Sequence, residues 1–412
     1  MPWPPLALPA RRPLWLDPRP LLAALLLARA SADPWLDALK GEDGGMGPGA
    51  LLNGLLLLSA ARYVLYRPGP LLRGVLPLWG PFLLLGLCSL AVAPDWHAGL
   101  RLLLVQLSYA AAFALPLWLV REPGQLRRWL RLLLLASLLP AGWALADVAL
   151  GRDPQGDGLF RVQGSFNHPN ILAFYLLLML TVILYLQRGA LAPPAAPRWR
   201  RRLLWCYALL LAALLALTKT RSAWAGAVLI FGLYGLLAER RMLCFLLLAP
   251  AALLLDEGLR ERLLDVAGGA YDPDGNLNSY AWRVLMWQSA LGWMEGWHWL
   301  LGYGLESFHL YSPQFFPLEG RDNWDPHNSY VHVLFEMGLA GLLAYLWLFW
   351  RLLRRLAAGP GWRRRVILCA SVLAYLLMAY SDNMLYYLSY NWYFWFFIGC
   401  ALAEQGSCGS PT

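Results

Sequence analysis

The segment Asp325-Pro326-His327-Asn328-Ser329-Tyr330 sets a histidine among an acid, a proline and hydrogen-bonding side chains. An imidazole titrates near neutral pH and can take a proton from a hydroxyl. Asp325 and Pro326 look like a helix cap and first helical position, which puts His327 in the first turn of the element that follows. The alternative for His327 is a hydrogen bond to a neighbouring loop. Cations form the second group. Thr218-Lys219-Thr220-Arg221-Ser222 joins two apolar runs tightly, and Lys219 with Arg221 suits an anion such as phosphate or diphosphate. Backbone amides at the start of the next helix would add to that field; the alternative is two cations reaching lipid headgroups. Arg283 lies in Ser279–Trp293, which reads as an amphipathic helix with Met286 and Trp287, lying along a membrane interface. Upstream, Arg161 precedes Gly164-Ser165-Phe166-Asn167-His168-Pro169-Asn170. Pro169 fits a first helical turn, with Asn167 or His168 as its cap, and Arg161 either meets an anion or snorkels.

Other polar residues carry blander readings. His332 and Glu336, spaced i, i+4, read as a structural pair. Asp272-Pro-Asp274-Gly-Asn276 fails as a calcium loop because its twelfth position is Arg283, and reads as a turn. The six cysteines, Cys88, Cys206, Cys244, Cys369, Cys400 and Cys408, form no CxxC pair. Neither a disulfide framework, a zinc site nor a cofactor is expected.

The elements that must position these residues are membrane helices. The 412 residues are 59% hydrophobic and 14% charged, with 22 Trp. Twelve apolar stretches approach the ~20 residues a spanning helix needs: 14–30, 49–66, 71–93, 99–120, 126–150, 169–187, 203–219, 221–238, 242–256, 328–350, 365–380 and 385–403. Asp17, Arg19 and Arg29 interrupt the first, and 242–256 is short, so eleven or twelve spans are expected. No small-residue cleavage site follows the first stretch, so no removable signal peptide is expected. The chain reads as one membrane domain, 1–412, with a long outer loop at 257–326.

Basic clusters fall at every second connection: Arg11–Arg12, Arg62–Arg67–Arg73, Arg121–Arg127–Arg128, Arg198–Arg200–Arg201–Arg202, Arg240–Arg241 and Arg363–Arg364–Arg365. With twelve spans, this puts both termini in the cytoplasm and the polar segments on the outer face. The net charge of +9 is then a topology signal and not a nucleic-acid footprint; the long loop itself has ten acidic and four basic residues.

The order of motifs resembles the O-antigen ligase and Wzy-type polysaccharide polymerase superfamily over roughly residues 155–345. It runs from Gly-x-Phe-x-His-Pro-Asn through Arg221 at a helix head to a long outer loop. That loop carries Arg283 and Trp287, Gly302-Tyr303-Gly304 and Phe308, closes on Asp-x-His-Asn-Ser-Tyr, and is followed by Glu336-Met-Gly-Leu-Ala-Gly. The resemblance implies an all-α, GT-C-like inner-membrane glycosyltransferase, metal-independent and inverting, with its site on the periplasmic side. It would take glycan from an undecaprenyl diphosphate carrier and pass it to a hydroxyl on another glycan, either a lipid-linked repeat or lipid A–core. Carried over by motif, Arg221, Arg283 and His327 are the catalytic candidates, with His327 as general base. Arg161 and Lys219 would help hold the diphosphate, and Asn167, His168, Asp325 and Asn328 would contact substrate. Asp382-Asn383 reads as a cap or an acceptor-sugar contact. Thr220-Arg221-Ser222, where ligases often have Ser-Arg-Gly, leans towards a polymerase. A ligase is the alternative, and a lipid-linked glycan flippase or transporter is the reading from another class. A chain-length regulator is a further candidate partner.

Overall fold

The computed structural model describes residues 17–39, 47–152, 160–189, 197–247, 278–316, 318 and 324–408, and among these every regular element is helical. The reading of 272–276 as a turn lies outside the described residues. Two short helices, α1 (Arg19–Arg29) and α2 (Asp33–Ala38), precede α3 (Pro48–Tyr66). A π-helical turn, Leu71–Val75, leads into α4 (Leu76–Leu90), and α5 (Trp96–Leu119) returns. Next come α6 (Pro123–Ala136), α7 (Leu138–Leu150), α8 (Pro169–Arg188), α9 (Arg198–Leu217) and α10 (Arg221–Leu237). After the 3-10 turns Arg240–Leu247 come α11 (Ser279–Trp293), α12 (His298–Leu301) and α13 (Ser307–Phe315). The chain closes with α14 (Ser329–Ala357), α15 (Trp362–Ala379) and α16 (Leu388–Cys408).

Six segments are long and apolar enough to cross a membrane: α3, the π-turn with α4, α5, α6 with α7, α8 and α14. The shorter α10 is also apolar. This is a multi-pass membrane protein. The stretch at 14–30 is corrected: its described helix, α1, has eleven residues, about 16 Å at ~1.5 Å per residue, too short for a ~30 Å hydrocarbon core. The 126–150 stretch is two helices that meet at Ser137, whose hydroxyl donates to Leu134 O at 2.7 Å and lies 2.7 Å from the Tyr207 hydroxyl.

The centre of the bundle is α8, buried from Leu172 to Tyr185. It packs on α9, α15, α10, α6 and α16, while α16 runs along α5 and α10 along α15. Large rings fill the interior: Trp79 meets Trp395 edge-on at 4.5 Å, and Tyr375 stacks on Phe394 at 4.6 Å. The two ends of the bundle differ. At one end α15, α16, α8 and α10 place Arg364, Glu404, Tyr185 and Arg188 with Glu239. Arg364 Nη1 lies 2.6 Å from Glu404 Oε2, Tyr185 Oη donates to the same oxygen at 3.1 Å, and Arg188 Nη2 lies 3.0 Å from Glu239 Oε1. At the other end lie the start of α8, the α9–α10 turn, the start of α14 and the α15–α16 connection, joined by the hydrogen bonds described next.

Candidate active site

Short side chains start the helices here. His168 caps α8 through Nδ1, which accepts from Asn170 N at 3.1 Å, with Pro169 following. The Nδ1 lone pair is therefore engaged and the neutral ring carries its proton on Nε2. Asn170 is the hub of a buried ladder. Its Oδ1 accepts from Arg161 Nη2 at 2.9 Å and Thr220 Oγ1 at 3.2 Å, and its Nδ2 donates to Asp382 Oδ2 at 2.9 Å. Arg161 also donates through Nε to Thr218 O at 3.0 Å. Arg161 thus braces the α9–α10 turn against α8 from a buried position. Asp382, 1% exposed, takes a further hydrogen bond from the Tyr387 hydroxyl, and its backbone carbonyl accepts from Ser329 Oγ at 3.0 Å. Burial, and then the Asp382 charge, raise the Tyr387 phenol well above its ordinary value, which keeps it a donor.

His327 stands at the top of this ladder, but not where the motif suggested. The cap of α14 is Asn328, whose Oδ1 accepts from Tyr330 N at 2.9 Å and Val331 N at 3.1 Å, while its own N donates to Asn383 Oδ1 at 3.2 Å. A short amide side chain captures the free helix amides better than Asp325 three residues earlier, so the helix starts at Ser329. His327 therefore lies outside the helix, at φ 46°, a left-handed conformation that non-glycine residues seldom adopt. Its Nδ1 sits 3.9 Å from Asp382 Oδ1, with no hydrogen-bond partner among the described residues, and its side chain keeps 34% exposure. The Trp282 ring lies 6.3 Å away, and Trp287 Nε1 donates to Pro326 O at 2.6 Å, so α11 holds the loop that carries His327.

The cations converge from three elements. Lys219, buried and also left-handed at φ 51°, makes the tight turn between α9 and α10. Arg221 opens α10, and its Nη2 donates to Ser279 Oγ at 2.8 Å, tying that helix to the start of α11. Arg283 sits one turn further along α11; its charge acts on both His168 and Tyr387. Burial, followed by the Arg161 charge, pushes the His168 imidazole down to about 4, with His327 and Arg283 adding to the same side and Asp382 opposing. His168 is accordingly neutral at physiological pH. Asn167 is exposed beside it. The structure thus gathers Arg161, His168, Asn170, Asp382, His327 and Arg283 in one electrostatic neighbourhood at the head of the bundle.

Asp325 turns away towards a second polar group. His309 Nδ1 lies 3.4 Å from Asp325 Oδ1, an ion-pair approach longer than a good hydrogen bond. Burial pushes the Asp325 carboxyl up, but His309 and the neighbouring imidazoles outweigh it and hold it below its ordinary value; Asp325 in turn raises His309. Beside them Glu306 is left-handed at φ 64°, and burial, then the Glu336 charge, raise its carboxyl to about 7. The expected His332–Glu336 pair is present at 3.1 Å, with the Tyr386 hydroxyl 2.8 Å from His332 Nε2. Motif reading did not single out Asn170, Tyr387 or Glu306 and left Asp382 open. The signals available were a polar residue in the first turn of a fully apolar helix and an Asp-Asn pair between two spans.

The fold and this polar head define a multi-pass membrane protein whose head holds Arg161, Lys219, Arg221 and Arg283. A family model described as O-antigen ligase matches residues 206–346, about a third of the chain. The resemblance carried by the motifs is therefore borne out over that segment, which contains Lys219, Arg221, Arg283, Asp325, His327 and Asn328. The match supports a function of the O-antigen ligase or polymerase type, as a glycosyltransferase-like enzyme of polysaccharide biosynthesis. No curated protein matches the chain.

Proposed function

We propose that the protein is an inverting glycosyltransferase that needs no metal, moving a glycan from undecaprenyl diphosphate to a hydroxyl of a glycan acceptor. The observation that carries this reading is the approach of His327 to the buried Asp382 at 3.9 Å, in a neighbourhood shared with Arg161 and Arg283. The acceptor hydroxyl attacks the anomeric carbon, its proton passes to His327, and the bond from that carbon to the diphosphate oxygen breaks with inversion. Asp382 acts through His327, orienting the ring and stabilising its cationic form. Arg221, Arg283 and Lys219 offset the negative charge that grows on the departing diphosphate, with donors fixed in place before reaction. Arg161 and Asn170 are positioning residues, and His168 offers a neutral Nε2–H to a glycan or phosphate oxygen. The exposed Asn167 is left to contact substrate, and Asp325 and Asn328 hold the His327 loop.

One GT-C-like membrane domain, 1–412, spanned by the remaining eleven apolar stretches, an inner-membrane location and a periplasmic site accompany this proposal. Thr220-Arg221-Ser222 favours extension of a growing polymer on a lipid-linked repeat, whereas the description of the matched family favours ligation to lipid A–core. A flippase or transporter is the reading from another class. A gene deletion complemented with wild type, His327→Ala, Arg221→Ala or Arg283→Ala, each verified in the membrane, separates them. Loss of the polysaccharide ladder to a single repeat on its normal acceptor supports the polymerase. A bare acceptor with long chains held on the carrier supports the ligase. Wild-type ladders from all three variants would sink the catalytic assignment and bring the flippase forward.

A further inference from the structure

Inside the long loop, α12 and its flanks make an unusual contact. Gly302 packs on the backbone of α14 and Gly338 on the backbone of α12: a Cβ on Gly338 would lie 2.2 Å from Leu300 C and O, and one on Gly302 would lie 2.3 Å from Glu336 C and O. Tyr303 N and Gly304 N donate to Phe335 O and Glu336 O at 2.9 and 3.0 Å. Gly338 itself, at φ 64° and ψ −170°, breaks α14 in a conformation essentially reserved for glycine. With its backbone turned to α14, the tip presents Trp297, Trp299, Leu300 and Leu301 outwards, each 44–57% exposed, alongside Leu339 and Leu343 of α14.

The depth of this contact can be gauged twice. Trp347 and Trp350, each beside an arginine (Arg351 and Arg354), mark the far interface of α14. Gly338 lies twelve residues from Trp350, roughly 18 Å at ~1.5 Å per residue, leaving about 12 Å of a ~30 Å core above it. Independently, Glu336 O accepts from Ser89 Oγ at 2.8 Å; Ser89 is in the last turn of α4, still within the apolar stretch 71–93 and ahead of the exposed cap Asp95. Both gauges put the tip beneath the membrane surface. We infer that residues 296–301 re-enter the leaflet on the side of the polar head, with Trp297, Trp299, Leu300 and Leu301 lying among bilayer acyl chains. The loop is then anchored in lipid beside α11, which bears Arg283.

Spin-label accessibility tests this on the full chain, its six cysteines replaced by alanine, in vesicles of phosphatidylethanolamine and phosphatidylglycerol. Labels are placed by Trp299→Cys, Leu301→Cys and, as the aqueous reference, Gln288→Cys. At 299 and 301 collisions with oxygen should exceed those with a water-soluble nickel chelate several-fold, with the order reversed at 288. Nickel collisions at 299 and 301 equal to those at 288 would overturn the inference. Immobile labels there that meet neither reagent would overturn it too, in favour of a protein partner.

Discussion

At the residue scale, the proposal turns on His327. His327→Ala should lower transfer about 10²–10⁴-fold, the usual contribution of a positioned base, while thermal stability in detergent stays near wild type. Asp382→Asn should also slow transfer but alter the pH profile, because it removes the charge facing Nδ1 while the new amide oxygen can still accept the hydrogen bond from Asn170 Nδ2. Glu306 gives a stability prediction with a definite sign. Its carboxyl titrates at about 7 in the fold against an ordinary 4.5, so the protonated form is favoured by folding. The stability it contributes is fully present below about pH 4.5 and is lost as pH rises through about 7. Thermal unfolding between pH 4.5 and 8 should show this decline in wild type and a flatter curve in Glu306→Gln. Much of the chemistry here was legible: an imidazole next to Asn-Ser, and cations at a helix head, are visible as letters. What Arg161 does was not. In sequence this arginine reads as an anion ligand or a snorkelling side chain, and its bracing role shows only once Thr218, Thr220 and Asn170 are seen around it.

At the scale of elements, apolar runs marked most helices to within a few residues, because hydrophobic length is written directly in sequence. Ser279–Trp293 emerged with the expected bounds. Two features were hidden. The start of α14 depended on whether Asp325 or Asn328 captured the free amides, a competition decided by backbone direction at His327. The docking of α12 depended on two glycines 36 residues apart, Gly302 against the Glu336 backbone and Gly338 against the Leu300 backbone, which leaves no periodic trace. Gly338→Ala should therefore cost about 3 kcal/mol or more in stability, combining a strained backbone with a clash against Leu300. Gly292→Ala, with open space around its Cβ position and an ordinary helical backbone, is the control expected to be neutral or slightly stabilising.

At the scale of the whole molecule, the bundle separates two polar ends across an apolar middle. The Arg364–Glu404 pair is 1% and 2% exposed, so removing one partner strands the other charge. Arg364→Ala should destabilise the protein by about 3–5 kcal/mol, while Arg364→Met with Glu404→Leu should recover most of that loss. Neither change should alter the acceptor concentration needed for half-maximal transfer, because the pair lies at the end remote from His327. A shifted acceptor dependence would mean that the ends communicate.

The ladder that crosses from Asn170 to Asp382 also imposes an order on biosynthesis. These partners are separated by 212 residues, on the order of 10–40 s of ribosome time at ~5–20 residues per second. Throughout that interval a nascent chain carries Arg161 and Asn170 at the membrane before their carboxylate exists. The insertion machinery, or water, must shelter them. On the proposed function, transfer waits until the last member of the ladder is delivered, and an unfinished copy should leave lipid-linked sugar untouched.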